Sequence, residues 1–182
     1  MSKENALKVI DRLEGTLIAD LKSLKIIAEE RSQSTSLQEK LPGGLNFLLH
    51  IAALISCETL GYFIKKDSQE GRSEENIRYF VSSKYFRESA YKKNGYLNTL
   101  TSLRTNLAHV FGMTDLKLDS VTADIALCVG GSKKPEVIKE SGIIKINGVK
   151  FAEMVIDGFE AIKAEVIKHE NSTLIGIIDE KT

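Results

Sequence analysis

Leu7, Ile10, Leu13, Leu17, Leu21, Leu24 and Ile27 recur at steps of three and four. That spacing lines one face of a helix and predicts a long amphipathic helix over residues 4–30. The polar run RSQSTSLQEK (31–40) and the Pro42-Gly43-Gly44 turn predict a loop. LNFLLHIAALISCETLGYFI (45–64) is apolar nearly all round, the mark of a central helix buried on most faces. Asn46, His50 and Glu58 interrupt it and weigh against a membrane span. After a charged connection from Lys65 to Ser73, SEENIRYFVSSKYF opens a third helix, with Ser73 as N-cap and acidic residues in its first turn. A fourth runs from Gly95 to Val110 on Leu97, Leu100, Leu103 and Leu107.

Past Gly112 the pattern changes. TADIALCVGG and SGIIKIN are short, rich in β-branched residues and bounded by glycine, which predicts two strands of a hairpin joined by a long connection at 130–141. Asn147-Gly148 ends the second strand rather than forming a two-residue turn, because Phe151, Val155, Phe159, Ile162 and Val166 begin a helical stripe at once. A last helix therefore covers 149–170. The tail STLIGIIDEKT carries an apolar centre suited either to an extra strand or to a partner surface. The expected fold is mainly α: one domain over 1–182, a bundle of about five helices with a small β-hairpin inserted at about 121–147, and a tail at 171–182.

Composition narrows the class. The chain has 182 residues, 42% of them apolar, enough for a core, and two prolines, which argues against disorder. Lys plus Arg and Asp plus Glu both number 25, so any polyanion contact has to come from a local patch. Cys57 and Cys128 sit far apart in apolar segments, with neither disulfide nor metal spacing, which fits a reducing, cytoplasmic setting. MSKENALKVIDRLEG lacks the basic-then-apolar order of a secretory signal. No His/Cys/Asp cluster, nucleophile elbow or dinucleotide fingerprint is present, and GGSKK (130–134) lacks P-loop spacing, so neither metal nor cofactor is expected.

The chemically informative string is SLRTNLAHVFG (102–112). Arg104 and His109 are five apart, about 140° on a regular helix, whereas Asn106 and His109 share a face. A site using both Arg104 and His109 needs a bent helix, a helix end or a second subunit. Glu58 lies in a nearly all-apolar helix, where a charge must be paired or face a cleft; Arg104 is the partner that would tie the central helix to the motif helix. His50, among Leu48, Leu49 and Ile51, reads as a hydrogen-bonded core histidine, and His169 as a cation at a helix C-terminus. Lys84, Arg87, Lys92, Lys93 and Arg104 stand against Glu88 alone, interleaved with Tyr85, Phe86, Tyr91 and Tyr96. This segment reads as an RNA-contacting surface or as a solvated loop over core-facing aromatics, the second being the commoner arrangement.

An Arg, four to six residues and a His on a late helix of a small α bundle resembles the motif of the HEPN superfamily of ribonucleases and toxin-like proteins. ISCETLGYFI (55–64) is similar to the helix that in many members carries an acidic residue and a Leu-Gly pair. The chain departs from the pattern in having Thr105 directly after the Arg and Asn one position later. The resemblance implies a metal-independent endoribonuclease, a toxin or defence effector. It implies a homodimer that brings Arg104 and His109 together, an RNA substrate and a neutralising partner protein. Arg104 would steady phosphate charge, His109 would act as base and Asn106 would orient it or donate to a phosphate oxygen, with Glu58 and Thr105 in support and Arg87, Lys92, Lys93 and Tyr96 on the RNA. The alternatives are a noncatalytic relative that binds nucleotide or RNA, and a protein-interaction module.

Overall fold

The N-terminal stripe folds as one continuous rod: α1 (Lys3–Leu13), a single π turn (Glu14–Ile18) and α2 (Ala19–Gln33), with right-handed helical backbone across both junctions. The computed structural model describes the backbone of residues 3–40, 45–69, 71–109, 116–118, 121–128, 136–138, 143–168 and 170–181, and most side chains up to Arg104 and from Ile146 onward. The π turn takes up one extra residue and rotates the face that follows it. Ile18, its last residue, and Leu21 and Ala28 beyond it are buried, while Ile27, expected on the stripe, is 42% exposed.

The predicted loop at 31–40 is mostly helical. Ser34 is extended, its Oγ accepts from Leu37 N, and α3 (Thr35–Lys40) follows. The serines and threonines that suggest a turn here act as a helix cap. Residues 41–44 lie outside the described residues, as do Val110, the GGSKK run and His169.

α4 (Leu45–Ile64) has the predicted bounds and the central place: it packs against α2, α5, α6, α7 and α8. Its stretch Phe47–Ile64 is long and apolar enough to cross a membrane by length and composition, with mean hydropathy 1.7, and half of it is buried in the protein. His50 is a core histidine, as expected; its Nε2 lies 3.1 Å from Ile146 O, so that nitrogen carries the proton. α5 (Ser73–Ser82) starts one residue earlier than predicted: Arg72 is the flanking residue, with no side-chain cap, and Ser73 is already helical. A short 3₁₀ turn (Ser89–Lys92) leads into α6 (Asn94–His109). Phe80, Phe86, Tyr91 and Phe151 form one aromatic cluster with centroids 5.3 to 5.9 Å apart.

The insert is a four-stranded sheet rather than a hairpin. β1 (Leu116–Leu118), β2 (Val121–Cys128), β3 (Glu136–Ile138) and β4 (Ile143–Asn147) lie in the order β1-β2-β4-β3. The two predicted strands form, but β2 and β4 run parallel, with Asp124 opposite Ile143 and Cys128 opposite Asn147. Parallel neighbours need a crossover rather than a turn, and β3, which lies between them in sequence, pairs antiparallel with β4. β4 ends at Asn147, as predicted, and α7 (Gly148–Lys168) starts at once. The tail is neither a strand nor a free apolar segment. It forms α8 (Ser172–Asp179), capped by Asn171 Oδ1 on Leu174 N, and buries Leu174, Ile175 and Ile178 on α1 and α4.

Candidate active site

Glu58 sits in the C-terminal half of α4 and Arg104 in the last turns of α6, and the packing of these two helices brings them into contact. Arg104 Nε and Nη2 both donate to Glu58 Oε2, each at 2.9 Å. On the other carboxylate oxygen, Ser73 Oγ donates to Oε1 at 2.5 Å. One acidic side chain thus ties α4, α5 and α6 together. The expected Glu58–Arg104 pair is present, and Ser73, expected to cap α5, instead spends its hydroxyl on the carboxylate.

The pair is neither buried nor solvated: the side chains are 22% (Arg104) and 18% (Glu58) exposed. Guanidinium is a planar fork with five donors. Its Nε–Nη2 edge faces Glu58, which fixes the plane; the Nη1–Nη2 edge has no partner among the described residues and suits two oxygens of an anion such as a phosphate. Thr105, Asn106 and His109 follow on α6, whose backbone is described as far as His109; their side chains lie outside the described residues.

The basic segment divides. Tyr85, Phe86 and Tyr91 are buried, and Tyr96 is half-buried with its ring edge-on to Tyr91. The aromatics therefore follow the core-facing reading. Lys92 Nζ donates to Ser83 O at 2.8 Å, and Lys84 Nζ to Glu165 Oε1 at 2.5 Å. Arg87 and Lys93 are exposed. Glu165 also accepts from Tyr85 OH and Asn171 Nδ2. Burial pushes the Glu165 carboxyl up, but the hydrogen bonds from Lys84, Asn171 and Tyr85 together outweigh it and hold the group below its ordinary value. Burial and the Glu165 carboxylate push the Tyr85 phenol up, which keeps it a donor.

Two cavities bear on function. One of about 450 Å³, between the end of α5 and α8, is lined by residues including Ile64, Lys84, Tyr85, Asn171 and Leu174. Its polar groups Lys84, Tyr85 and Asn171 are spent on Glu165. The other, of about 290 Å³, is lined by Glu58, Thr59, Tyr62, Phe63, Gly71 and Asn76, and so opens beside the Arg104 pair. Asn76 is 2% exposed, and its Oδ1 is buried without a hydrogen-bond partner among the described residues. Nothing in the local pattern marks Asn76, the fourth residue of α5, as buried.

Among the described residues no group of three or more His, Cys, Asp or Glu is placed to hold a metal ion. Cys57 is buried and free, and burial pushes its thiol well above the usual range. Comparisons with protein-family models, with curated proteins and with solved structures find no match to this chain.

Proposed function

We propose that this chain is a HEPN-like, metal-independent endoribonuclease that works as a cytoplasmic homodimer. The observation that carries the reading is the held guanidinium of Arg104: one edge is fixed by Glu58 across the helix packing, and the other has no partner among the described residues. His109, as a neutral imidazole, takes the proton of a ribose 2′-hydroxyl as that oxygen attacks the adjacent phosphorus. The P–O5′ bond breaks, and the leaving oxygen takes a proton from water, while the proton on His109 returns to solvent. The ends are a 2′,3′-cyclic phosphate and a 5′-hydroxyl. Charge building on the phosphoryl oxygens is met by Arg104, which stays cationic throughout. Asn106 orients the imidazole.

The offset of about 140° between Arg104 and His109 favours a site shared between two subunits, Arg104 of one beside His109 of the other. Arg87 and Lys93, both exposed, are the cations proposed to meet flanking phosphates, whereas Lys92 is held by Ser83 O. A nuclease of this kind acting as toxin or defence effector would be held in check by a neutralising partner protein. The second reading, a noncatalytic RNA- or nucleotide-binding relative, is favoured by one observation, Thr105 directly after the Arg, where the chain departs from the family pattern. Cleavage of an RNA panel in EDTA by wild type, Arg104→Ala and His109→Ala separates the two. Wild-type cutting with cyclic ends, lost in both folded variants, supports the nuclease; binding without cutting supports the relative.

A further inference from the structure

We infer that the end of α8 is a latch on the connection between α4 and α5, and that this latch sets the Glu58–Arg104 pair. The inference goes beyond the nuclease reading and does not need it. Lys181 follows the last turn of α8, and its ammonium donates to Tyr62 O at 2.5 Å, to Lys65 O at 2.7 Å and to Ser68 Oγ. Those three acceptors match the three N–H donors of the group. The same ammonium lies 4.3 Å from the centroid of the Tyr62 ring.

The latch closes the end of a helix. α4 stops at Ile64, and the last carbonyls of a helix have no partner within it. The helix dipole favours a cation there, and Lys181 supplies one from 116 residues after Lys65. Ser68 Oγ, which accepts from Lys181, itself donates to Tyr62 O at 2.5 Å. Lys65 Nζ in turn pairs with Glu75 on α5. The connection is therefore gripped from one side by α8 and from the other by α5.

From this grip the path to the candidate site is short. Ser73, eight residues after Lys65, is the first residue of α5 and donates to Glu58 Oε1. Arg72 before it offers no side-chain cap, so the first turn of α5 is held by the connection rather than by a cap of its own. Further along, α5 is pinned: a Cβ at Gly61 would stand 1.9 Å from Asn76 O, so the two backbones touch and that part of α5 stays on α4. Freeing Lys181 therefore loosens residues 65–75 without undocking α5, and Glu58 loses the hydroxyl on its Oε1. The Arg104 guanidinium, which rests on Oε2 of the same carboxylate, is then less firmly placed.

The test is hydrogen exchange of amides and of the Arg104 guanidinium, read by NMR on the full chain as wild type, Lys181→Gln and Ser68→Ala, each checked for folding by circular dichroism. In Lys181→Gln the amides of Lys65, Ser68 and Arg72 and the Arg104 Nε–H are expected to exchange about tenfold faster, and in Ser68→Ala about threefold faster, while the Ile10 amide in α1 keeps its rate. If Lys181→Gln does not fold, Ser68→Ala carries the test. Unchanged rates at these groups in the folded variants, acceleration that stops at the connection and spares Arg104, or equal acceleration at Ile10 overturns the latch. Neither readout uses RNA, so a chain that shows the latch and cuts no RNA removes only the nuclease reading, and a chain that cuts RNA without these exchange changes removes only the latch.

Discussion

A carboxylate on a helix as apolar as α4 has to be matched, and Glu58 is matched from two other helices. Removing it strands a partly buried guanidinium and a hydroxyl at once. Glu58→Ala should cost about 1–3 kcal/mol, and a double-mutant cycle with Arg104→Ala should give less than the sum of the two, read by urea unfolding. Glu165 supplies a pH-dependent test. Its native carboxyl titrates below its ordinary value, so its contribution is complete above about pH 4.5 and is lost as the pH falls through the lower native value. Glu165→Gln should therefore flatten the fall in stability on the acid side of pH 4.5, leaving the neutral range less affected. Glu58 and His50 were legible because a polar group in an apolar helix must find a partner. Ser73 and Asn76 were not, since their roles depend on the approach of α5 to α4 and leave no local trace.

At the level of elements, periodicity placed α4 and the start of α7 well but lost the phase of the first helix beyond Gly15, where a π turn inserts a residue that no spacing rule marks. Short apolar runs were harder. Residues 174–178 suit a strand or a helix equally until tertiary packing decides, and the Asn171 cap and the groove on α1 and α4 decide for α8. Ile178→Ala should cost about 2–5 kcal/mol, because Ile178 is fully buried in that groove. Strand direction was likewise out of reach, because composition predicts strands but not their pairing. At Gly61 α4 meets α5 so closely that an added methyl meets backbone rather than a movable side chain. Gly61→Ala should destabilise by roughly 1–3 kcal/mol and lower Tm by several degrees in a thermal melt.

For the whole molecule, the central claim is that Arg104 and His109 form an RNA-cutting site without metal, shared between two copies. Mixing Arg104→Ala with His109→Ala subunits tests the sharing, since a heterodimer regains one intact site; activity should return to about a quarter of wild type in a statistical mixture. The prior and most direct measurement is cleavage of a mixed RNA panel in EDTA by folded wild type and the two single variants. The account predicts cutting by wild type alone, with 2′,3′-cyclic phosphate ends. Undiminished cutting by folded Arg104→Ala or His109→Ala, or no cutting by folded, dimeric wild type across the panel, would contradict it.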